Sequence, residues 1–365
     1  MINSSRIVAA RKRRGYTLNE LSTRAGVSLQ SLSNYERGRT EPAADSLAQL
    51  ASALDFPESF FYQPDLDPIP LEAVSFRARS KLAAGPRDGA LAASRLALEL
   101  HDWIEDRFRL PVTDVPTLGK PDPETAAEMV RARWGLGHTP VGNMVHLLEA
   151  HGVRVFSLPP EYTDVDAFAT WRNGTPFVFL STLKTPERGR FDAAHELGHL
   201  VLHGEDRPLA GPQAEQEANA FASAFLMPHT GVLDHVPRAP LVSQILQAKA
   251  IWNVSALSLT YRLHDLGLLT DWQYRRTLID LGERGYRTGE PKGMPTRESS
   301  QLLDKVFRSL KAKGSSIPDV ARELHVTPKE LSSWVFGLIV TGRNGDSERP
   351  ASGTSQGRPH LELVR

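Results

Sequence analysis

The chain has no cysteine among its 365 residues. That absence excludes disulfide bonds, zinc centres with thiolate ligands and a cysteine nucleophile. It fits a reducing compartment. Net charge is absent as well, with 43 basic residues against 43 acidic ones, so the chain as a whole has no bulk attraction to nucleic acid or to a membrane surface. Long apolar runs are missing, none approaching the ~18 residues of a membrane span. The opening residues, Met1 to Arg6, lack the charged-then-apolar layout of a signal peptide. These absences lead to the expectation of a soluble, cytoplasmic protein with no membrane partner. The length suits two or three domains.

What is present is unevenly placed. Residues 1–40 carry Arg6, Arg11, Lys12, Arg13, Arg14, Arg24, Arg37 and Arg39 against Glu20 and Glu36 only, a local net charge of +6. Such an excess on a small helical module is the footprint of a nucleic-acid-binding surface; the plainer alternative is a solvated charged face. The pattern predicts a helix over about 6–14 that stops at Gly15. A second follows Thr17, whose side chain and that of Glu20 form a capping box. Gly26-Val27 makes a turn, Ser28 caps a third helix that ends at Arg37-Gly38, and a fourth spans about 43–54. Leu18, Leu21, Ala25, Leu32, Tyr35, Leu47, Leu50, Ala51 and Leu54 form the expected buried stripes.

Two short helices around a glycine turn make a helix-turn-helix, and the string from Gly26 to Gly38 resembles the XRE and phage-repressor family of such domains over about 55 residues. The resemblance implies a five-helix DNA-binding domain. By position Leu29, Gln30, Ser31 and Asn34 would face base edges, with Gln30 suited to bidentate pairing with adenine and Leu29 to a thymine methyl. Thr17, Ser28, Arg37 and Arg39 complete the expected DNA-binding set, Thr17 and the two arginines toward phosphates. The competing reading is a protein-interaction domain on the same scaffold.

Beyond the aromatics of residues 55–62, a Pro- and Asp-rich stretch marks a boundary. An amphipathic helix is expected over 90–109, a proline-rich connector over 110–123, and helices over 124–134 and 141–151. Residues 153–156, 167–171 and 176–180 are expected as strands, with Asn173-Gly174 as a hairpin turn, giving a small antiparallel sheet.

The chemistry follows the sheet. Residues 191–203 contain His195-Glu196-Leu197-Gly198-His199 within a helical pattern. On a helix, i and i+4 side chains share a face, so His195 and His199 can hold one metal ion while Glu196 reaches a water bound to it. Gly198 lets another backbone approach. A zinc site needs a third protein ligand. His203, at i+8, lies ~12 Å along the axis from His195 on a continuous helix, too far to share an ion, and is placed at the helix end or behind the ligands. The next helix, 215–226, ends at Pro228. Glu215 borders its buried stripe of Ala218, Phe221, Ala222, Phe225 and Leu226, whereas Glu217 falls toward solvent. Glu215 is therefore preferred as the ligand, with Asn219 one turn on to orient it. The alternative is that Glu215 only favours the helix start. His203 and Tyr162 are weak candidates for an oxyanion donor. A peptide substrate strand would add to the sheet edge.

His195 to His203, then Glu215-x-x-Ala218-Asn219-Ala220-Phe221-Ala222, then Phe225-Leu226-Met227-Pro228, together resemble the ImmA/IrrE metallopeptidase family over about 124–228. With the helix-turn-helix head, the chain resembles bacterial regulators that fuse both modules. The resemblance implies a Zn2+-dependent endopeptidase of narrow specificity that cleaves a helix-turn-helix repressor and releases phage, mobile-element or stress-response genes. The fused DNA-binding domain and the long C-terminal region depart from simpler members and leave substrate and trigger open.

The expected architecture is α+β and mostly helical. An all-α helix-turn-helix domain (1–65) leads through a helical linker (66–123) to a zincin-like peptidase domain (124–235), then a helical region (236–340) and a disordered tail (341–365). Within the helical region, Asn253-Val254-Ser255 and His325-Val326-Thr327 each look like another turn and helix start. Neither carries a basic face, so both are read as packing elements. Three functions compete: a DNA-binding regulator with an active zinc endopeptidase, a transcription factor with an inert, ligand-sensing peptidase-like domain, and an antitoxin-like DNA-binding partner. The intact Glu196 favours the first, because a scaffold needs no general base. The expected partners are double-stranded DNA, a protein substrate and a second copy of the chain.

Overall fold

The computed structural model describes residues 1–66, 69, 77–78, 84–119, 121–204, 211–339 and 362–363. The expected disordered tail at 341–365 lies outside them except for Glu362-Leu363.

The N-terminal helices start and stop where side chains satisfy their free backbone groups. Helix α1 (Ser4–Arg13) is capped by the Asn3 side chain. Helix α2 (Leu18–Ala25) opens on the Thr17/Glu20 capping box and ends at Gly26 with φ 66°, a conformation glycine adopts at no steric cost. Helix α3 (Leu29–Glu36) is capped by Ser28, which accepts from the Ser31 N–H. Helix α4 (Ala44–Leu54) completes the set. A 3-10 turn over Glu58–Tyr62 stands where the family resemblance implies a fifth helix. Ile7, Leu21, Leu32, Leu50, Leu54, Phe60 and Phe61 are sealed together in the core.

After strand β1 (Arg77–Ala78) comes helix α5 (Ala84–Glu105). It lies several residues N-terminal of the expected 90–109, because Phe108 and Arg109 leave the helix to form strand β2 against strand β6 (Glu362–Leu363). Helix α6 (Pro123–Arg133) starts on an Asp122 cap with proline in its first turn, and helix α7 (Met144–Ala150) on an Asn143 cap.

The sheet is mixed, which corrects the antiparallel expectation. Strand β3 (Arg154–Ser157) runs parallel to β5 (Thr175–Leu180), with Arg154 opposite Phe177, while β4 (Val165–Arg172) is antiparallel to β5. Asn173 and Gly174, at φ 51° and 73°, turn the β4–β5 hairpin. That hairpin folds β5 into the space between β3 and β4, giving the order β1-β4-β5-β3. Residues 158–164 therefore carry the chain past the β5 position, a connection that no hairpin signal announces. Strand β1 pairs with β4 at Ala167 and Val165, so one edge expected for a substrate strand is partly covered by the chain itself.

Helices α8 (Pro186–Leu202) and α9 (Pro212–Leu226) pack on each other beside this sheet. Helices α10 (His229–His235), α11 (Val242–Trp252), α12 (Ala256–Asp265) and α13 (Asp271–Glu283) follow. Helices α14 (Gln301–Ala312), α15 (Ile317–Glu323) and α16 (Pro328–Trp334) complete the described C-terminal region. Among the described residues no helix is long and apolar enough to cross a membrane.

The cations of α1 face inward, which alters the reading of the basic N-terminus. Arg6 is buried and paired with Glu99 of α5. Lys12 meets Asp88 at 3.0 Å, and Arg11 binds Glu36 at 2.6 Å. Arg13 is buried between Glu330 of α16 and Glu161, each at 2.5 Å, and Arg14 reaches the second Glu330 oxygen at 2.9 Å. Much of the +6 charge therefore fastens this domain to the rest of the chain. Arg24, Arg37 and Arg39 remain exposed.

Candidate metal centre and nucleic-acid interface

Helix α8 carries His195, Glu196 and His199, all fully enclosed. A Cβ on Gly198 would lie 3.1 Å from the Phe221 ring and 3.2 Å from the Ala218 backbone. The missing side chain thus permits the close approach of α9, which brings Glu215 and Asn219 to the two histidines.

Three ligand atoms converge. His195 Nε2 and His199 Nε2 lie 3.0 Å apart. Glu215 Oε2 is 3.4 Å from the first, and Oε1 is 3.2 Å from the second. Ligands held ~2.0–2.1 Å from a tetrahedral ion are about 3.3 Å from one another. The donor set therefore fits a metal ion, and among the described residues this trio forms such a group. Protonation states agree with that use. Burial holds His199 down to about 4 despite Glu215, so the ring is neutral near pH 7. Burial opposes the Glu215 charge, yet His195 and His199 outweigh it and hold the carboxyl at about 2.

The neighbouring candidates separate. Asn219 Oδ1 lies 3.1 Å from His195 Nδ1. An amide oxygen accepts, so the His195 Nδ1–H donates and Nε2 keeps a lone pair for a cation. Asn219 thus orients His195, not Glu215 as expected from the sequence. His203 caps the end of α8 and touches His199 and Glu217 through its two ring nitrogens. Glu217, expected toward solvent, is half-buried there. Tyr162 sits elsewhere. Its hydroxyl donates to the Arg13 carbonyl, its ring lies under the Arg13 guanidinium, and it fills the space a side chain on Gly89 of α5 would need. It belongs to the seam with the N-terminal domain and is not directed at the metal-ligand trio.

On α3, Leu29 is 45% exposed, leaving an apolar side chain free in the first turn. Gln30 is exposed and its amide donates to Asn34 Oδ1 at 3.4 Å, so the two share one face. Ser31 is half-buried with its hydroxyl 2.8 Å from that of Ser28. Thr17, Ser28, Arg37 and Arg39 are exposed.

Residues 7–61 match the helix-turn-helix family, and residues 148–264 match the family described as the IrrE N-terminal-like domain. The chain joins a helix-turn-helix domain to an IrrE N-terminal-like domain. The radiation response metalloprotease IrrE of Deinococcus radiodurans is 31% identical over 110 residues, which is 26% of this chain and 34% of that protein. The transcriptional regulator ClgR of Mycobacterium tuberculosis is 48% identical over 50 residues, 14% of this chain and 45% of that protein. The chain thus matches less than half the length of each of these curated relatives. Within the IrrE-like domain the residue least legible in the sequence was Glu217, because helical periodicity alone turns it away from the α9 core, while the end of α8 supplies its partner.

Proposed function

We propose that this chain is a DNA-binding regulator whose IrrE-like domain is a zinc endopeptidase acting on a regulatory protein, with a helix-turn-helix repressor as the substrate class. The convergence of His195, His199 and Glu215 beside Glu196 carries the reading. IrrE is named a metalloprotease and ClgR a transcriptional regulator, and both names support it.

When bound, the zinc ion would lower the pKa of a water and polarise the peptide carbonyl. His195, His199 and Glu215 would hold it. Glu196 is enclosed next to His195. Its carboxylate takes the proton of the attacking water and passes it to the leaving amine. The substrate main chain is held by strand addition at the sheet. In the helix-turn-helix domain, Leu29, Gln30, Ser31 and Asn34 face base edges, while Thr17, Ser28, Arg37 and Arg39 set the register on the backbone, with two copies on two half-sites. Release of stress-response, phage or mobile-element genes is the outcome this chemistry would serve.

The test is zinc content and cleavage of a neighbouring repressor by the wild type and by Glu196→Gln. Zinc in both with cleavage by the wild type alone is expected, a loss of at least ~100-fold in the variant. No zinc in either protein would overturn the site, and zinc without cleavage in either would favour a ligand-sensing scaffold.

A further inference from the structure

Behind His199 lies a second imidazole, and behind that a carboxylate. His199 Nδ1 is 3.3 Å from His203 Nδ1, and His203 Nε2 is 3.0 Å from Glu217 Oε2. The Gln213 amide donates to the other Glu217 oxygen at 2.8 Å, which steadies the carboxylate on α9.

The direction of each hydrogen bond follows from what the groups carry. A carboxylate oxygen accepts, so the His203 Nε2–H donates to Glu217. A neutral imidazole with its proton on Nε2 presents a bare lone pair at Nδ1. His199 must then donate from its own Nδ1, which leaves His199 Nε2 unprotonated where it faces His195 and Glu215. The relay therefore selects the tautomer that can bind a cation. His195 obtains the same result from the neutral Asn219 amide in one step. His199 obtains it from a full negative charge through an intervening ring.

We propose that Glu217 is a positioning residue that acts through His203 to fix the tautomer and orientation of His199 for metal binding. This rests on reading His195, His199 and Glu215 as the metal ligands. The two readings fail in different ways, so one experiment separates them.

The experiment measures zinc affinity of the full chain by competition with a chromogenic chelator, and the visible spectrum of the cobalt-loaded protein. It compares wild type, Glu217→Ala, Glu217→Met, His203→Ala and the double variant of Glu217 and His203. Loss of the carboxylate is expected to weaken zinc about tenfold or more, with a shifted cobalt spectrum, in both Glu217 variants. In the His203→Ala background, removing Glu217 is expected to add little further loss, because its effect passes through that ring. Glu217→Met keeps the side-chain volume without an acceptor for His203 and carries the comparison if Glu217→Ala does not fold. Wild type binding zinc while both Glu217 variants bind it equally well, with unchanged spectra, would overturn the relay alone. So would a Glu217 effect that persists undiminished without His203. Failure of the wild type to take up zinc would overturn the metal site and the relay with it.

Discussion

His195, His199 and Glu215 bring their ligand atoms to one point from two helices. The i, i+4 spacing of His195 and His199 places both rings on one face of α8, and Glu215 borders the buried stripe of α9; both follow from 3.6 residues per turn. The residues that orient them come from the facing helix. Asn219 belongs to His195 and Glu217 to His203, and both pairings cross between helices. On α3 the contact of Gln30 with Asn34 makes a joint polar face. Gln30→Ala is expected to reduce discrimination at one adenine by about 1–3 kcal/mol. Arg39→Ala is expected to weaken binding to all sequences alike and to reduce its salt dependence. Binding titrations on an operator and its single-base variants, at two salt concentrations, separate the two effects.

At the scale of elements, helix starts were the best-marked features, because Thr17, Ser28, Asp122 and Ser255 each satisfy N–H groups that the helix leaves free. One cap is supplied from a distance. Glu149 of α7 accepts from the N–H groups of Gln301 and Leu302, each at 3.0 Å, and from the Ser300 hydroxyl, at the start of α14. Burial pushes the Glu149 carboxyl up to about 7 from 4.5, against those hydrogen bonds. A raised folded-state value means the protonated form favours folding. This contribution is complete below about pH 4.5 and is lost as pH rises through about 7. Denaturant unfolding at pH 5 and pH 8 is expected to show wild type losing on the order of 3 kcal/mol from this group, and Glu149→Gln to remove that pH dependence. The direction of β3 was not legible, since parallel and antiparallel strands share one alternation and the choice depends on which gap the β4–β5 hairpin fills.

The whole molecule joins its parts through charge. Burial works against the Arg13 guanidinium, but Glu330, Tyr162 and Glu161 outweigh it and raise its pKa. Glu330 also binds Arg14, so helix α16, near the end of the described chain, holds helix α1 at its beginning. Glu330→Ala would leave Arg13 as a buried cation with the half-exposed Glu161 as its remaining carboxylate partner. The expected loss is about 3–5 kcal/mol. It should appear in calorimetry as earlier, separate melting of the N-terminal domain; a single transition at the wild-type temperature would count against this clamp. By itself the sequence determined the two modules, the helix starts and the metal-binding pattern of α8, because these depend on contacts a few residues apart. The tertiary structure alone decided the parallel strand, the seat of Tyr162 against Arg13 and the inward turn of the α1 cations. Each of those depends on a partner remote in the sequence or on a choice among packings, and the charge of a residue does not state which surface it will meet.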